Sequence, residues 1–142
     1  MNGPYEAIGD YPTCARTYAT LRIYHPSLDP DSITRGLEIE PTEVRRAGEA
    51  RLRQRGVIAK RSAWFLRSQG DVGSRDARRH IDWILDQLEP RGEALRALQA
   101  AGCETVVAVF WDSAKGQGGP ALSPVNMAGL ARLNKVCALM PS

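Results

Sequence analysis

The stretch ARTYATLRIY, residues 15–24, decides the fold because its side chains alternate in character along the chain. Small and apolar residues occupy every second position, namely Ala15, Thr17, Ala19, Leu21 and Ile23. Arginine, tyrosine and threonine occupy the positions between them. A period of two is typical of a β-strand with one buried face. The pair His25-Pro26 is expected to end this strand, because proline has no backbone donor for the ladder.

Working outward, the following residues predict one short helix and two further strands. Asp29 is expected to cap the helix, with Pro30 at its first position and Gly36 at its end. Extended stretches are predicted at residues 42–47 and 62–68; in the second, Ala63, Phe65 and Arg67 alternate with Trp64 and Leu66.

The next part of the chain predicts helices that lie against the sheet. Ser74 is expected to cap a helix, with Asp76 placed favourably for the positive end of the helix dipole. Pro90 is expected to interrupt this helix and to start a second one, which ends at Gly102. Helical periodicity gives the inward-facing residues as Ile81, Ile84, Leu85 and Leu88 on the first segment and Leu95 and Leu98 on the second.

The last third of the chain predicts a strand, a turn, a helix and a final strand. Residues 104–112 are rich in valine and aromatic side chains, which favours a strand. Residues 113–120 form the predicted turn, and Ser123 is expected to cap a helix with Pro124 at its first position. A final strand is expected at residues 136–140. The inner side of the helix is predicted to hold Met127, Leu130 and Leu133.

The predicted order of elements, β-α-β-β-α-α-β-α-β, contains the split β-α-β core of a ferredoxin-like sandwich with an added helix and strand. We therefore expect an α+β fold, a two-layer sandwich with the helices on one face of a mostly antiparallel sheet. The length of 142 residues fits one domain, so residues 1–14 are interpreted as an N-terminal extension and residues 15–142 as the single domain. The sequence shows neither a long apolar run nor a secretory signal, so we expect a cytoplasmic protein without a membrane partner.

The cysteine pattern argues against a disulfide framework and against zinc. Cys14, Cys103 and Cys137 are odd in number and lie far apart, which matches neither arrangement. Buried free thiols are the expected state, because free cysteine is most often a core residue, and a single reactive thiol is the alternative. We expect no metal and no cofactor.

Positive charge is concentrated in one segment of the chain. Residues 45–79 hold 11 basic and 3 acidic side chains, whereas the net charge of the whole chain is only +3. Within this segment, residues 48–61 are interpreted as a long exposed loop. The candidate basic patch consists of Arg45, Arg46, Arg51, Arg53, Arg55, Lys60 and Arg61. Such a patch attracts phosphate, so nucleic-acid binding is one alternative; a solvated loop is the other, because this segment lacks aromatic stacking platforms.

The most distinctive stretch is WDSAKGQGGP, residues 111–120. Three glycines in four positions let backbone amides approach a ligand closely, although the spacing matches neither a Walker motif nor a dinucleotide fingerprint. The candidate binding residues are Trp111, Asp112, Lys115, Gly116, Gly118 and Gly119. The alternative interpretation is that the glycines serve turn geometry and that Trp111 belongs to the core.

Catalysis has little support in the sequence. The two histidines, His25 and His80, do not lie at a recognisable spacing from a nucleophile. No catalytic residue is assigned, and an enzyme that uses His25 or Asp112 on a small substrate stands only as an alternative.

Several short motifs follow one another along the chain. They are LRI at 21–23 before HP at 25–26, LDP at 28–30, LEIEPT at 37–42, DWIL at 82–85, LEP at 88–90 and WDS at 111–113. In this combination the sequence from Ala15 onward resembles the bacterial domain-of-unknown-function family 4279. The resemblance implies a single-domain cytoplasmic α+β protein of uncharacterised activity, with no catalytic residues to carry over. By analogy it implies a protein-interaction role, of the toxin-neutralising type. Residues 136–142 depart from the family pattern.

These observations favour a non-enzymatic interaction module over an enzyme. The expected partner is another protein, which docks at Trp111, Asp112 and the glycine-rich loop. Nucleic-acid binding through residues 45–61 is the main alternative.

Overall fold

The computed structural model describes residues 14–49, 58–113, 120–132 and 136–141. In chain order its elements are β1 (Cys14–His25), α1 (Pro30–Leu37), β2 (Glu43–Arg45), β3 (Ser62–Arg67), α2 (Ala77–Leu88), a 3-10 turn (Glu89–Arg91), α3 (Gly92–Ala100), β4 (Glu104–Ser113), α4 (Pro124–Arg132) and β5 (Val136–Pro141). The predicted N-terminal extension lies outside the described residues, apart from Cys14. None of the helices in these ranges has the length and apolar character needed to cross a membrane.

The five strands form one sheet in the order β2-β3-β1-β4-β5. The neighbours among β2, β3, β1 and β4 run antiparallel, and β5 runs parallel to β4. With α1 between β1 and β2, and α2 and α3 between β3 and β4, the first four strands have the arrangement of the split β-α-β core. The predicted α+β fold with a mostly antiparallel sheet is confirmed, and α4 and β5 are the added helix and strand.

The sheet has two faces of different character. On one face, Leu21 of β1 lies opposite Leu66 of β3 and Val107 of β4, and all three side chains are buried in the core together with α2. We call this side the covered face. The residues between them point to the other side, which we call the open face, because the helices of the described residues pack on the covered face.

The core between the helices and the covered face matches the predicted periodicity. The buried residues of α2 include Ile81, Ile84, Leu85 and Leu88, Leu95 of α3 is buried, and Leu98 packs partly buried against the same core. Trp64 of β3 is also fully buried, and its indole Nε1 donates a hydrogen bond to Thr34 Oγ1 at 3.0 Å. The one polar atom of this large side chain is therefore satisfied.

The structure corrects the predicted start of β1. The register of β1 against β4 shifts between Cys14 and Arg16, which indicates a β-bulge. Ala15, expected on the buried face, is exposed, and Cys14 is fully buried instead. The bulge explains this reversal, because one extra residue moves the residues before it to the opposite face of the strand.

The predicted start of α1 is confirmed and its predicted end is wrong. The Asp29 side chain caps the helix by accepting a hydrogen bond from the backbone of Asp31, and Pro30 follows as the first helical residue. The helix continues through Gly36 and ends before Glu38, which adopts a left-handed backbone with φ of +57°. Glu38 N–H donates to the carbonyl of Thr34 at 2.7 Å, which offsets the cost of that conformation.

The cap of α2 also differs from the expectation. Asp76, not Ser74, is the capping residue, and its carboxylate accepts a hydrogen bond from Arg78 N at 3.0 Å. Ser74 Oγ accepts from Asp76 N at 2.9 Å, so the serine orders the turn that precedes the helix. Both residue types are good caps, and sequence alone does not decide between two of them so close together.

The inner side of α4 was predicted only in part, since Leu130 is buried in the core as expected and Met127 is not. Met127 is 53% exposed, and the buried positions are Asn126, Gly129 and Leu130. These three lie at positions i, i+3 and i+4, so the buried stripe keeps the predicted Leu130 but contains Asn126 in place of Met127. A Cβ at Gly129 would lie 2.8 Å from Leu85 Cδ1, so the glycine permits the close approach of α4 to α2. Leu133 lies outside the described residues.

Candidate functional site on the open face

The predicted glycine-loop site is only partly within the described residues. Trp111 is 6% exposed and packs in the core, in register with Thr17 on the covered face. Its side chain therefore has the core role that was the alternative interpretation. Asp112 lies on the open face, in register with Arg16 at the beginning of β1. Lys115, Gly116, Gly118 and Gly119 lie outside the described residues.

The predicted basic patch is divided between two sides of the sheet. Consecutive residues of a strand point to opposite faces. Arg45 accordingly lies on the open face, whereas Arg46 turns to the start of α1 and pairs with Asp31 at 3.0 Å. Arg61 joins the open face, and Lys60 is exposed. Arg51, Arg53 and Arg55 lie outside the described residues.

The described ends of the predicted long loop are paired rather than irregular. Gly48 N donates to the Ala59 carbonyl at 2.9 Å, and Ala59 N donates to the Glu49 carbonyl at 2.8 Å. These bonds extend the antiparallel pairing of β2 with β3 beyond the named strands. These bonds therefore hold residues 48 and 49 next to residue 59 at the edge of the sheet.

The open face brings together arginine and aromatic side chains that are far apart in the sequence. Strand register places them in successive rows across β2, β3, β1 and β4. The aromatic members are Tyr18, Tyr24, Phe65 and Phe110, and the arginines are Arg16, Arg22, Arg45, Arg61 and Arg67. The two stretches that border this face were predicted from the sequence but the face itself was not, although its arginine and tyrosine members alternate visibly along residues 15–24.

Guanidinium groups lie directly over the aromatic rings of the open face. Arg61 lies 3.9 Å from the centroid of the Tyr24 ring, and Arg16 lies 5.0 Å from that of Phe110. Two further arginines, Arg45 and Arg67, lie 5.1 and 5.4 Å from the Phe65 centroid. Such cation–π contacts hold the planar guanidinium in place while it keeps its charge.

The rings also contact one another and form two groups. Tyr18 and Phe110 stack with centroids 4.9 Å apart and an interplanar angle of 17°. Tyr24 and Phe65 meet edge to face with centroids 6.0 Å apart. We call the first pair the stacked pair and the second the edge pair. Both geometries are favoured arrangements of aromatic quadrupoles.

Carboxylates fix some of these arginines without neutralising the face. Glu43 accepts hydrogen bonds from Arg45 Nε at 3.1 Å and from an Arg67 terminal nitrogen at 3.0 Å. Burial alone would raise the pKa of Glu43, but the bonds from these two arginines outweigh it and hold the pKa below its usual value. Arg61 pairs with Glu104 at 2.9 Å. The face still has an excess of positive charge, since its five arginines are accompanied by Glu43, Glu104 and Asp112.

A serine and a histidine come together beneath the covered face, which sequence reasoning did not foresee. Ser68 Oγ lies 2.6 Å from His80 Nδ1 and accepts a bond from Ala19 N at 2.9 Å. His80 Nε2 lies 2.6 Å from the Ser74 carbonyl, so Nε2 carries the proton and Nδ1 accepts the serine hydroxyl. Ser68 and His80 are both buried, and burial lowers the pKa of His80. A substrate cannot reach this pair, which satisfies buried polar groups.

His25 and the described cysteines, which the sequence offered as possible reactive groups, also have structural roles. His25 Nδ1 accepts bonds from the backbone of Ser27 at 3.0 Å and Leu28 at 2.9 Å, and Nε2 lies 3.1 Å from the Ala101 carbonyl. His25 thus orders the turn after β1. Cys103, like Cys14 at the bulge, is a buried free thiol, as predicted, and burial raises the pKa of both.

Two cavities on the described surface are lined by residues other than those considered for catalysis. Two open depressions of about 300 and 530 Å³ lie among the helices, and neither is lined by His25 or Asp112. Within the described residues, no group of three or more His, Cys, Asp or Glu side chains is placed to hold a metal ion. The open face is therefore the arrangement whose chemistry the core does not explain.

Comparison with known proteins gives a family for most of the chain. A family model described as a domain of unknown function (DUF4279) matches residues 15–136. No similar protein was found among those with curated descriptions, and no similar solved structure was found.

Proposed function

The chain belongs to the DUF4279 family of domains of unknown function, and from this premise we propose that it is a non-enzymatic binding module for an anionic macromolecule. The binding surface is the open face of the sheet. The bacterial origin and cytoplasmic location expected from the sequence belong to the same proposal.

The observation that carries the proposal is the set of arginine–ring pairs on the open face. Arginine and aromatic residues are the types most enriched at binding hot spots, because they offer both apolar area and directed polar contacts. Here they gather on the side of the sheet away from the described helices. The fold has no need of five arginines at these positions.

The charge of the face selects an anionic partner. Its arginines outnumber its carboxylates, so the long-range field attracts negative charge. Rings and Glu43 already hold several guanidinium groups in position. A partner therefore loses less side-chain freedom on binding than it would against mobile lysines.

Exposed arginines give a direct test with inorganic polyphosphate as the anion. Arg16 and Arg61 are exposed on the open face, whereas Arg35 and Arg96 are exposed on the helices. Arg16→Gln combined with Arg61→Gln is expected to weaken binding at least about tenfold, because charge-assisted contacts are worth about 1.5 kcal/mol or more each. Arg35→Gln with Arg96→Gln removes the same charge and is expected to change affinity less than about twofold. Titration calorimetry at two salt concentrations measures both.

Equal losses in the two double variants would show that only net charge matters. The open face would then not be the binding surface. No detectable polyphosphate binding by the unaltered protein at low salt would contradict the proposal as a whole.

A protein partner at Trp111, Asp112 and the loop after them is the second candidate. The observation that favours it is the position of Asp112 on the open face beside Arg16. Because Trp111 is buried, Asp112→Ala is the informative variant. It is expected to lose the protein partner in a pull-down from the source cell while it retains polyphosphate binding.

A further inference from the structure

We infer that the open face binds single-stranded nucleic acid, with bases stacked on its rings and phosphates on its arginines. This inference rests on the proposed function, since it names the anion that the face takes.

The two groups of rings lie at different positions along β1. Tyr18 of the stacked pair and Tyr24 of the edge pair are six residues apart on β1, which corresponds to about 20 Å at 3.3–3.4 Å per residue. Between them the floor of the face holds the small, buried residues Thr20 and Ala108, which are partners across β1 and β4. The face therefore has an aromatic group at each end, and the residues between the two groups are covered by their neighbours.

Arginines lie between the two aromatic groups as well as over them. Arg67 lies in the same row as Thr20, and Arg22 lies in the next row beside Phe65. Arg16 and Arg61 lie over the rings at the two ends. Cations that alternate with rings match a polymer whose negative charges alternate with planar bases.

The individual rings have different roles. Tyr18, Tyr24 and Phe110 are half-buried, and guanidinium groups already lie over the Tyr24 and Phe110 rings. Phe65 is only 4% exposed and lies under Arg45 and Arg67, so it positions those arginines. A guanidinium plane is itself a stacking surface for a base.

Duplex nucleic acid and acidic peptides fit these observations less well. Paired bases are stacked inside a duplex and cannot lie on the tyrosines, and the described residues place no helix on the open face to enter a groove. An acidic peptide supplies charge but few planar rings. Stacking therefore distinguishes single strands from the other polyanions.

The decisive variant removes the tyrosine rings and keeps the charge. The probe is a labelled thymidine oligonucleotide of about 12 nucleotides, within the range of about 4–16 for one binding module. Tyr18→Leu with Tyr24→Leu is expected to weaken its binding at least about tenfold, and Tyr18→Phe with Tyr24→Phe, which keeps both rings, is expected to bind like the unaltered protein. Polyphosphate binding is expected to be unchanged in the phenylalanine variant, and in the leucine variant, which loses the ring under Arg61 but keeps every charge, to weaken far less than oligonucleotide binding. Fluorescence anisotropy measures affinity, and thermal unfolding confirms that each variant is folded.

A measurement on the unaltered protein tests the same inference even if a variant does not fold. In an NMR titration with the oligonucleotide, ring protons of Tyr18 and Phe110 are expected to shift upfield, whereas polyphosphate is expected to leave them in place. If five arginines meet phosphates, the logarithm of affinity should fall against the logarithm of salt with a slope of about −3.5 for a single strand.

The outcomes separate this inference from the proposed function. If polyphosphate and a duplex of equal length bind as tightly as the oligonucleotide, and the leucine variant binds all three equally, the inference is wrong and the anion-binding proposal stands. If polyphosphate binding does not depend on Arg16 and Arg61, the proposed function fails first.

Discussion

On the covered face of the sheet Leu21 lies between Leu66 and Val107, and one residue along, on the open face, Arg22 lies between Phe65 and Val106. The same three strands thus carry two rows of opposite character. The covered row is apolar and dry, as a packed core requires. The open row places a cation beside an aromatic ring, which packing alone does not call for.

The difference between the two faces separates stability from binding. Side chains of the covered face are explained by the helices they contact, so their replacement should lower the free energy of unfolding. Side chains of the open face are mostly half-buried and contact one another, so their replacement should alter binding more than folding. Variants that respond in the opposite way would show that the two faces are assigned incorrectly.

The largest effect is expected on the covered side, at Leu85 of α2. Leu85 is buried in the core, and its side chain packs closely against α4 at Gly129, where there is no Cβ. Leu85→Ala should cost about 2 to 5 kcal/mol, because it removes buried methyl groups and leaves a cavity between two helices. Chemical denaturation measures the loss. A cost below about 1 kcal/mol would mean that α2 does not pack as described.

A smaller, pH-dependent effect is expected from the buried His80. Burial lowers the pKa of His80 in the folded protein. Below about pH 6.5 the histidine is therefore protonated in the unfolded chain while it is still neutral in the folded protein. The folded protein therefore loses stability as the pH falls from 7 towards 5, with a contribution of at most about 1.4 kcal/mol per pH unit from one proton. His80→Leu should show a flatter dependence in this window, measured by denaturation at each pH. The same slope in both proteins would contradict the assignment.

Much of the covered side could be predicted from the sequence. The helical spacing of apolar residues on α2 and the alternation of β1 indicate which side chains are buried. Burial of apolar side chains is also what holds the helices against the covered face. The errors at Ala15 and Met127 have local causes. A bulge and a shift of one position along a helix depend on how elements meet, and periodicity within one element does not contain that information.

The open face could not be predicted from the sequence in the same way. Tyr18 and Phe110 stack across strands that are 92 residues apart in the chain, and only the strand register brings them together. The basic stretch was visible, but Arg45 and Arg46 diverge to opposite sides because they are consecutive in a strand. The order β2-β3-β1-β4 is a tertiary property, and the binding surface depends on it.

The smallest effect is expected at Asp86, which is exposed and follows Leu85 in α2. Burial of part of the carboxyl raises its pKa, and the nearby carboxylates of Asp82 and Glu89 add to the rise. A raised pKa means that the charged form is disfavoured in the folded protein, so stability falls as the pH rises through that pKa. Asp86→Ala should therefore change the free energy of unfolding at pH 7 by no more than about 0.5 kcal/mol, with any change favouring the variant.

The pH at which Asp86→Ala is measured provides its control. Below the pKa of the carboxyl the side chain is neutral in both states, so the advantage of the variant should disappear there. The pair Leu85→Ala and Asp86→Ala also tests the orientation of α2, since adjacent residues on a helix lie about 100° apart and only one of these two faces the core. Equal losses of stability in the two variants would require a rotation of α2, and the covered face would then have a different set of contacts.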